Sequence, residues 1–250
     1  MIKALVRYMY MAKIELTIPF SLGQITLGQY QDYLKILEKW DKEDHVYLKM
    51  KILQIFCKMS PEDVQRINLK KFEDTIAHIN DLFGTDTNDL IRRFKMSGKD
   101  KDGNKIQVEY GFIPKLDDIS FGEYIDLETY IGDWSQMEKA MAVLFRPVTN
   151  VTKDYYTIED YEGSSKHATI LKDMPLDVAL SATVFFYRLG IKLQKYIMDS
   201  LASQTNKEAT QGSKQTSEGS GDGTNQYTHL HKAMLDGLKK SQRPLFISAL

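Results

Sequence analysis

Over residues 13–19 apolar and polar positions alternate. Ile14, Leu16 and Ile18 share one side, and Lys13, Glu15 and Thr17 share the other. This pattern predicts a half-buried strand. The period then changes: Leu27, Tyr30, Leu34 and Leu37 recur at helical spacing behind Thr26, a good helix cap. The acidic stretch 41–44 ends that helix. Residues 46–59 read as a second, largely buried helix. Ser60-Pro61-Glu62-Asp63 is a further helix start, with a hydroxyl cap, a proline at the first position and acids in the first turn. Another helix is predicted over 69–83, closed by Gly84. Segments 90–96 and 105–112 flank the polar run 97–104 and predict an antiparallel hairpin. Helices over 121–131 and 134–145 follow, the second stopped by Pro147. The longest helix is expected over 175–201. Its stretch 184–189 is apolar nearly all round, which predicts a place deep in the core.

One stretch occurs twice. Ile25-Thr26-Leu27-Gly28-Gln29-Tyr30-Gln31-Asp32 and Ile119-Ser120-Phe121-Gly122-Glu123-Tyr124-Ile125-Asp126 match in type at most positions, and an Ile-Pro pair precedes each, at Ile18-Pro19 and Ile113-Pro114. Thr26 with Gln29, and Ser120 with Glu123, both satisfy the capping-box rule. Capping accounts for those two positions but not for the glycine, the tyrosine or the Ile-Pro pair. The resemblance continues from Pro61-Glu62-Asp63-Val64 to Pro175-Leu176-Asp177-Val178, with an inserted segment at about 148–170 carrying Tyr155, Tyr156 and Tyr161 in strand-like surroundings. The expected fold is therefore α+β and predominantly helical. It has two related halves, at about 13–89 and 105–202, joined by a small antiparallel hairpin. Duplication is one reading of the repeat, and two independently good helix starts is the other.

The ends of the chain differ from its middle. Residues 1–12 read as an N-terminal extension, with Met11 as an alternative start to Met1. From 203 to 226 the chain is Ser, Thr, Gly, Gln, Asn and Lys without a large apolar side chain, so it is expected to be a disordered linker. Beyond it, Leu230, Met234, Leu235 and Leu238 form an apolar stripe, and Phe246 lies in an apolar run after Pro244. Residues 227–250 thus read as an amphipathic arm, and these five side chains are the candidate partner-binding residues.

Composition narrows the function classes. A net charge of −1 gives no global attraction to nucleic acid or to an anionic membrane. The single cysteine, Cys57, excludes an internal disulfide framework and suits a reducing compartment. It sits beside Phe56 without a basic neighbour, which points to a core thiol. Among the five histidines only His229 and His231 are close in sequence, too few for a metal site. The run Asp100-Lys101-Asp102-Gly103-Asn104 lacks the glycine and glutamate of a calcium loop. Gly28 and Gly122 belong to no phosphate-loop pattern. Trp40 and Trp134 are expected to anchor helix packing. A basic cluster, Arg92, Arg93, Lys95, Lys99, Lys101 and Lys105, marks the hairpin, diluted by Asp100 and Asp102. Nothing in these patterns predicts a catalytic residue, a metal site or a cofactor, so no enzyme is expected.

Three stretches resemble a known family. Ile18-Pro19 with Ile25-Thr26-Leu27-Gly28-Gln29-Tyr30, then Phe121-Gly122-Glu123-Tyr124-Ile125-Asp126-Leu127, then Ala142-Val143-Leu144-Phe145-Arg146-Pro147, look like proteins encoded among the virion genes of tailed bacteriophages of Bacteroidetes-type hosts. The resemblance covers about residues 14–201 and carries no catalytic residue. It implies virion assembly, with a tail assembly chaperone as the first expectation and a structural subunit, such as a head-tail connector or ring component, as the alternative. The implied partner is another phage protein or a second copy of this chain, with no membrane. The implied location is the host cytoplasm during assembly, or the virion. Nucleic-acid contact through the basic hairpin is the remaining, less favoured, reading.

Overall fold

In the structure, a computed structural model, residues 16–40, 44–85, 89–99, 104–153 and 155–208 are described. They form an α+β fold with eight α-helices and one four-stranded antiparallel sheet, in the order β1-β2-β3-β4, among the described residues. A single apolar core runs from Leu22 to Phe186 and is shared by helices and sheet.

The first half is helical. α1 (Leu27–Lys39) opens on a complete capping box between Thr26 and Gln29. α2 spans His45–Phe56, capped by Asp44. It stops short of the expected residue 59 because Lys58 takes a left-handed backbone conformation (φ 54°) directly after the C-cap. α3 (Pro61–Arg66) starts on the Ser60 cap with proline in its first turn, as the sequence predicts. α4 (Leu69–Phe83) ends at Gly84. These helices close on an aromatic cluster. Tyr30 meets Trp134 edge-on at 5.2 Å, and Phe83 lies 5.3 Å from Phe56 and 5.9 Å from Tyr30. Cys57 is buried here, as expected of a core thiol, and burial pushes its pKa up to about 11.

The second half carries the sheet. β1 (Arg93–Lys99) and β2 (Lys105–Phe112) form the expected hairpin, in register from Arg93↔Gly111 to Lys99↔Lys105. α5 (Phe121–Tyr130) opens on the Ser120–Glu123 capping box. A 3-10 turn at Trp134–Gln136 leads into α6 (Met137–Leu144), in which every residue but Lys139 is buried. The chain then runs without a loop into β3 (Phe145–Val151). Phe145 and Arg146 are extended because proline at 147 disfavours the helical region just before it. β4 (Tyr156–Ile158) completes the sheet, and α7 (Ser165–Leu171) and α8 (Leu176–Glu208) follow.

The two halves are tied by backbone hydrogen bonds between helix starts. Leu27 N–H donates to Met174 O at 2.9 Å, Gly28 N–H to Lys172 O at 2.7 Å, and Leu176 N–H to Ile25 O at 2.9 Å. The first-turn donors that a helix leaves unpaired are thus satisfied by the opposite strand of chain. Gln31 adds a buried polar link, donating to Trp134 O at 2.9 Å and to the Glu138 carboxylate at 2.5 Å.

Three expectations are corrected and a fourth is not shown. Residues 16–19 form no strand: Ile18 is 37% exposed, and Pro19 O is taken by His78 Nε2 at 2.9 Å, so the segment has no sheet partner. Residues 13–15 lie outside the described residues. The stretch 184–189 is not buried all round. Only Phe186 is buried in it, and Leu189 is 40% exposed, because α8 packs one face, Val178, Ala179, Ala182 and Phe186, against the core. The same helix runs on to Glu208, six residues into the stretch read as a linker. Finally, an internal duplication is not shown. Each copy of the repeated motif does follow a 3-10 turn and open a capped helix. Their surroundings differ, since among the described residues only the second copy follows a sheet strand.

The repeated glycines show that difference and can be tested. A Cβ on Gly28 would stand 3.1 Å from Lys172 O, the acceptor of its own N–H, whereas a Cβ on Gly122 would meet nothing within 4 Å. Gly122→Ala should raise unfolding free energy by about 0.5 kcal/mol by restricting the unfolded chain. Gly28→Ala should lower it by about 1 kcal/mol, because the bonded carbonyl cannot retreat without losing its donor. Denaturant titration of both variants reads the two signs. Equal effects would mean that the two sites are packed alike.

Candidate functional site

The ion pair at the floor of a groove organises the second half. Arg146 stands one residue into β3, opposite Gly111 of β2. Its Nη1 donates to Glu123 Oε1 at 2.5 Å, and each side chain of the pair is only 8% exposed. The other Glu123 oxygen accepts from Ser120 N–H at 2.8 Å and from the Ser120 hydroxyl at 2.7 Å. One carboxylate therefore closes the α5 capping box and neutralises a buried guanidinium. Burial by itself raises the Glu123 pKa, but the bonds from Ser120 and the Arg146 guanidinium outweigh it and hold the carboxyl below its usual value. The Arg146 guanidinium also lies over the Tyr161 ring at 5.4 Å, and its buried Nε has no partner among the described residues.

Above this pair lies an open groove of about 820 Å³. One wall is β4 with the chain that follows it, from Tyr155 to Tyr161, and the other is the connection from β2 to α5, from Ile113 to Ser120. β4 is the last strand of the sheet, so its outer edge has no strand beside it among the described residues.

The β4 wall is fastened at three points. Tyr156 lays its ring over Gly111, where a Cβ would stand 2.6 Å from it, and its hydroxyl donates to Phe112 O at 2.7 Å. Only glycine at 111 leaves room for that ring. The Tyr161 hydroxyl donates to Asp126 on α5, and this bond chiefly holds the Asp126 carboxyl below its usual pKa. Glu159 takes Lys166 Nζ and His167 Nε2, each at 2.8 Å, and the Lys166 bond is the main reason that its carboxyl is also held low. Tyr155, by contrast, is 64% exposed at the rim. A fixed sheet edge, tyrosine faces and carboxylates together suit the grip of an extended polypeptide.

The residues singled out from sequence fall elsewhere. Leu230, Met234, Leu235, Leu238 and Phe246 lie outside the described residues, as do His229, His231 and Lys101. The hairpin arginines are engaged: Arg93 pairs with Glu109 at 3.5 Å and lies over the Tyr156 ring, and Arg92 lies over Phe112. Trp134 is buried, and Trp40 donates to Asp44 O at 2.8 Å. Among the described residues no group of three or more His, Cys, Asp or Glu could hold a metal ion, and no helix is long and apolar enough to cross a membrane. Sequence reasoning missed the Glu123–Arg146 pair. The available signal was Arg146 itself, a charge set in the apolar run Met141-Ala142-Val143-Leu144-Phe145, where a buried ion needs a partner. Comparison of the chain with protein-family models, with curated proteins and with solved structures finds no match.

Glu123→Gln should destabilise the protein by about 3 kcal/mol at neutral pH, because it leaves the guanidinium buried without a counter-charge. The sign with pH follows from the lowered carboxyl. Its contribution is present above the unfolded value of about 4.3 and is lost as pH falls through the lower folded value. The stability gap between wild type and variant should therefore be full at pH 7 and close below about pH 4. Urea unfolding across that range checks it. A constant gap would assign the loss to capping rather than to charge.

Proposed function

We propose that this chain is a non-catalytic assembly protein of tailed-phage virions, acting as a tail assembly chaperone that holds another virion protein before it is incorporated. The observation that carries the reading is the groove beside β4, with tyrosines and carboxylates in its walls and, among the described residues, no strand against the outer edge of β4. Such an edge binds an extended client segment through backbone hydrogen bonds and leaves the client's fold untouched. The resemblance of the motifs at Ile25, Phe121 and Ala142 to virion-gene proteins supplies the setting, the host cytoplasm during assembly. The arm with Leu230, Met234, Leu235, Leu238 and Phe246 is the second client-binding element of the reading.

One observation favours a structural subunit instead. α8 extends for 33 residues and exposes Leu189 and Ile191, a face that a neighbouring copy in a ring or connector would cover.

Co-expression with each of the other virion proteins, followed by size exclusion with light scattering, separates the two. The chaperone reading expects a monomer alone and a stoichiometric complex with one virion protein. Tyr155→Ala combined with Asp160→Lys should weaken that complex by at least about tenfold while the melting temperature stays unchanged. A closed oligomer of this chain alone, indifferent to the groove variant, would replace the chaperone with the structural subunit.

A further inference from the structure

We infer that the outer face of the β1–β2 ribbon is a docking surface for double-stranded nucleic acid, held mainly through its phosphates. Strand alternation and the register of the pair put Arg93, Lys95 and Ser97 of β1 on the same side as Lys105, Gln107 and Glu109 of β2. All of these but Glu109 are exposed. The opposite side is apolar: Phe94, Met96, Val108 and Tyr110 pack on the core. Phe94 also stacks on Tyr110 at 5.7 Å and meets Phe145 edge-on at 5.5 Å, which fixes the root of the ribbon. β3 pairs with β2 only over Tyr110–Phe112, so from Glu109 outward the sheet is two strands wide among the described residues.

The charge of this ribbon departs from that of the rest of the chain. β1 and β2 carry four cations, Arg93, Lys95, Lys99 and Lys105, and one acid, Glu109, a formal +3. The whole chain has a net charge of −1, so the remaining residues sum to −4. Glu109 is taken by Arg93 at 3.5 Å, and neither Lys95 nor Lys105 has an ion-pair partner among the described residues. The last rung sets Lys99 directly opposite Lys105. Like charges facing one another weaken a ladder, and a polyanion laid against them removes that cost.

Shape agrees with charge. The major groove of B-form DNA is about 12 Å wide and admits a two-stranded ribbon. The five rungs from Lys95↔Glu109 to Lys99↔Lys105 run for about 14 Å, and the core backs them on the apolar side, so the polar side is the one that meets the groove. Lys95 and Lys105 supply cations for phosphates, with the neutral donors Ser97 and Gln107 between them. The acidic remainder is repelled by the same phosphates, so the field of the protein turns the ribbon toward the duplex. The inference is independent of the groove beside β4 and of any virion client.

The test is fluorescence anisotropy of a labelled, mixed-sequence DNA duplex of about 20 base pairs, titrated with the full-length protein at about 50 mM and about 200 mM salt. Two or three phosphate contacts predict an affinity that falls roughly 15- to 60-fold over that range. Lys95→Glu with Lys105→Glu should weaken binding at the lower salt by at least about tenfold, and the milder Lys95→Gln with Lys105→Gln by about threefold, both with the melting temperature unchanged. Lys70→Glu with Lys71→Glu, at two exposed positions of α4, alters the net charge as much as the first variant and should leave binding within about twofold. Absence of binding at the lower salt overturns the proposal. So does an equal loss in the ribbon and α4 variants, which would reduce the effect to net charge alone. Polyglutamate that binds as tightly as the duplex, charge for charge, overturns it in favour of an acidic protein segment. A single strand of the same length that binds more tightly than the duplex overturns the fit to the major groove.

Discussion

Everything in this fold depends on two helix starts that complete each other. The first-turn donors of α1 are bonded to carbonyls at Lys172 and Met174, and the first donor of α8 is bonded to Ile25 O. Each of these groups would be unpaired and buried without the other, at a cost of roughly 1–3 kcal/mol apiece. The contact joins segments about 150 residues apart in sequence. Closing so long a loop costs entropy that these bonds and the packing around them must offset. Gly28 is where the two backbones come closest, and its lack of a side chain is what permits the approach.

The groove is built on a comparable economy. Glu123 begins as a helix-capping residue, fixed by local sequence, and the same carboxylate then meets Arg146 from a strand that arrives later in the chain. Local capping orients the acid before the guanidinium reaches it, which lowers the entropy lost when the pair forms. Tyr161 covers the pair from above, and Asp126, one turn along α5, holds Tyr161. Charge, cap and aromatic face thereby belong to one connected unit, and the β4 wall inherits its rigidity from α5.

Much of the fold could be read from the sequence, and the failures have physical causes. Capped helices were legible because Ser60-Pro61, Thr26…Gln29 and Ser120…Glu123 are local chemistry that tertiary structure does not override. The hairpin was legible from its two arms. The strand expected at 13–19 was not realised at Leu16 to Pro19, because alternation states a preference for burial on one side and cannot supply a neighbour to pair with. The burial of α8 was overread because an apolar composition says nothing about which face meets the core. The groove was nearly invisible. Its parts, an acid in a cap, an arginine before a proline and tyrosines in an insertion, each had a sufficient local explanation, and only the register of β2 with β3 brings them together. The repeated motif misled in the opposite direction, since identical local geometry at Thr26 and Ser120 serves a backbone clasp in one place and an ion pair in the other.

Tyr156 has one more consequence. Its ring crosses β3 to rest on Gly111 of β2, and its hydroxyl ends on Phe112 O. A two-strand ladder as short as β3–β4 would ordinarily be free to shift by a residue, and such a shift would carry every side chain to the opposite face. Here the shift would lift an aromatic ring out of a slot cut for it. The outermost strand is thus phased by a strand two places away, much as a ruler is clamped before a line is drawn along it. Any polypeptide laid against that edge would meet a ladder whose alternation is already set.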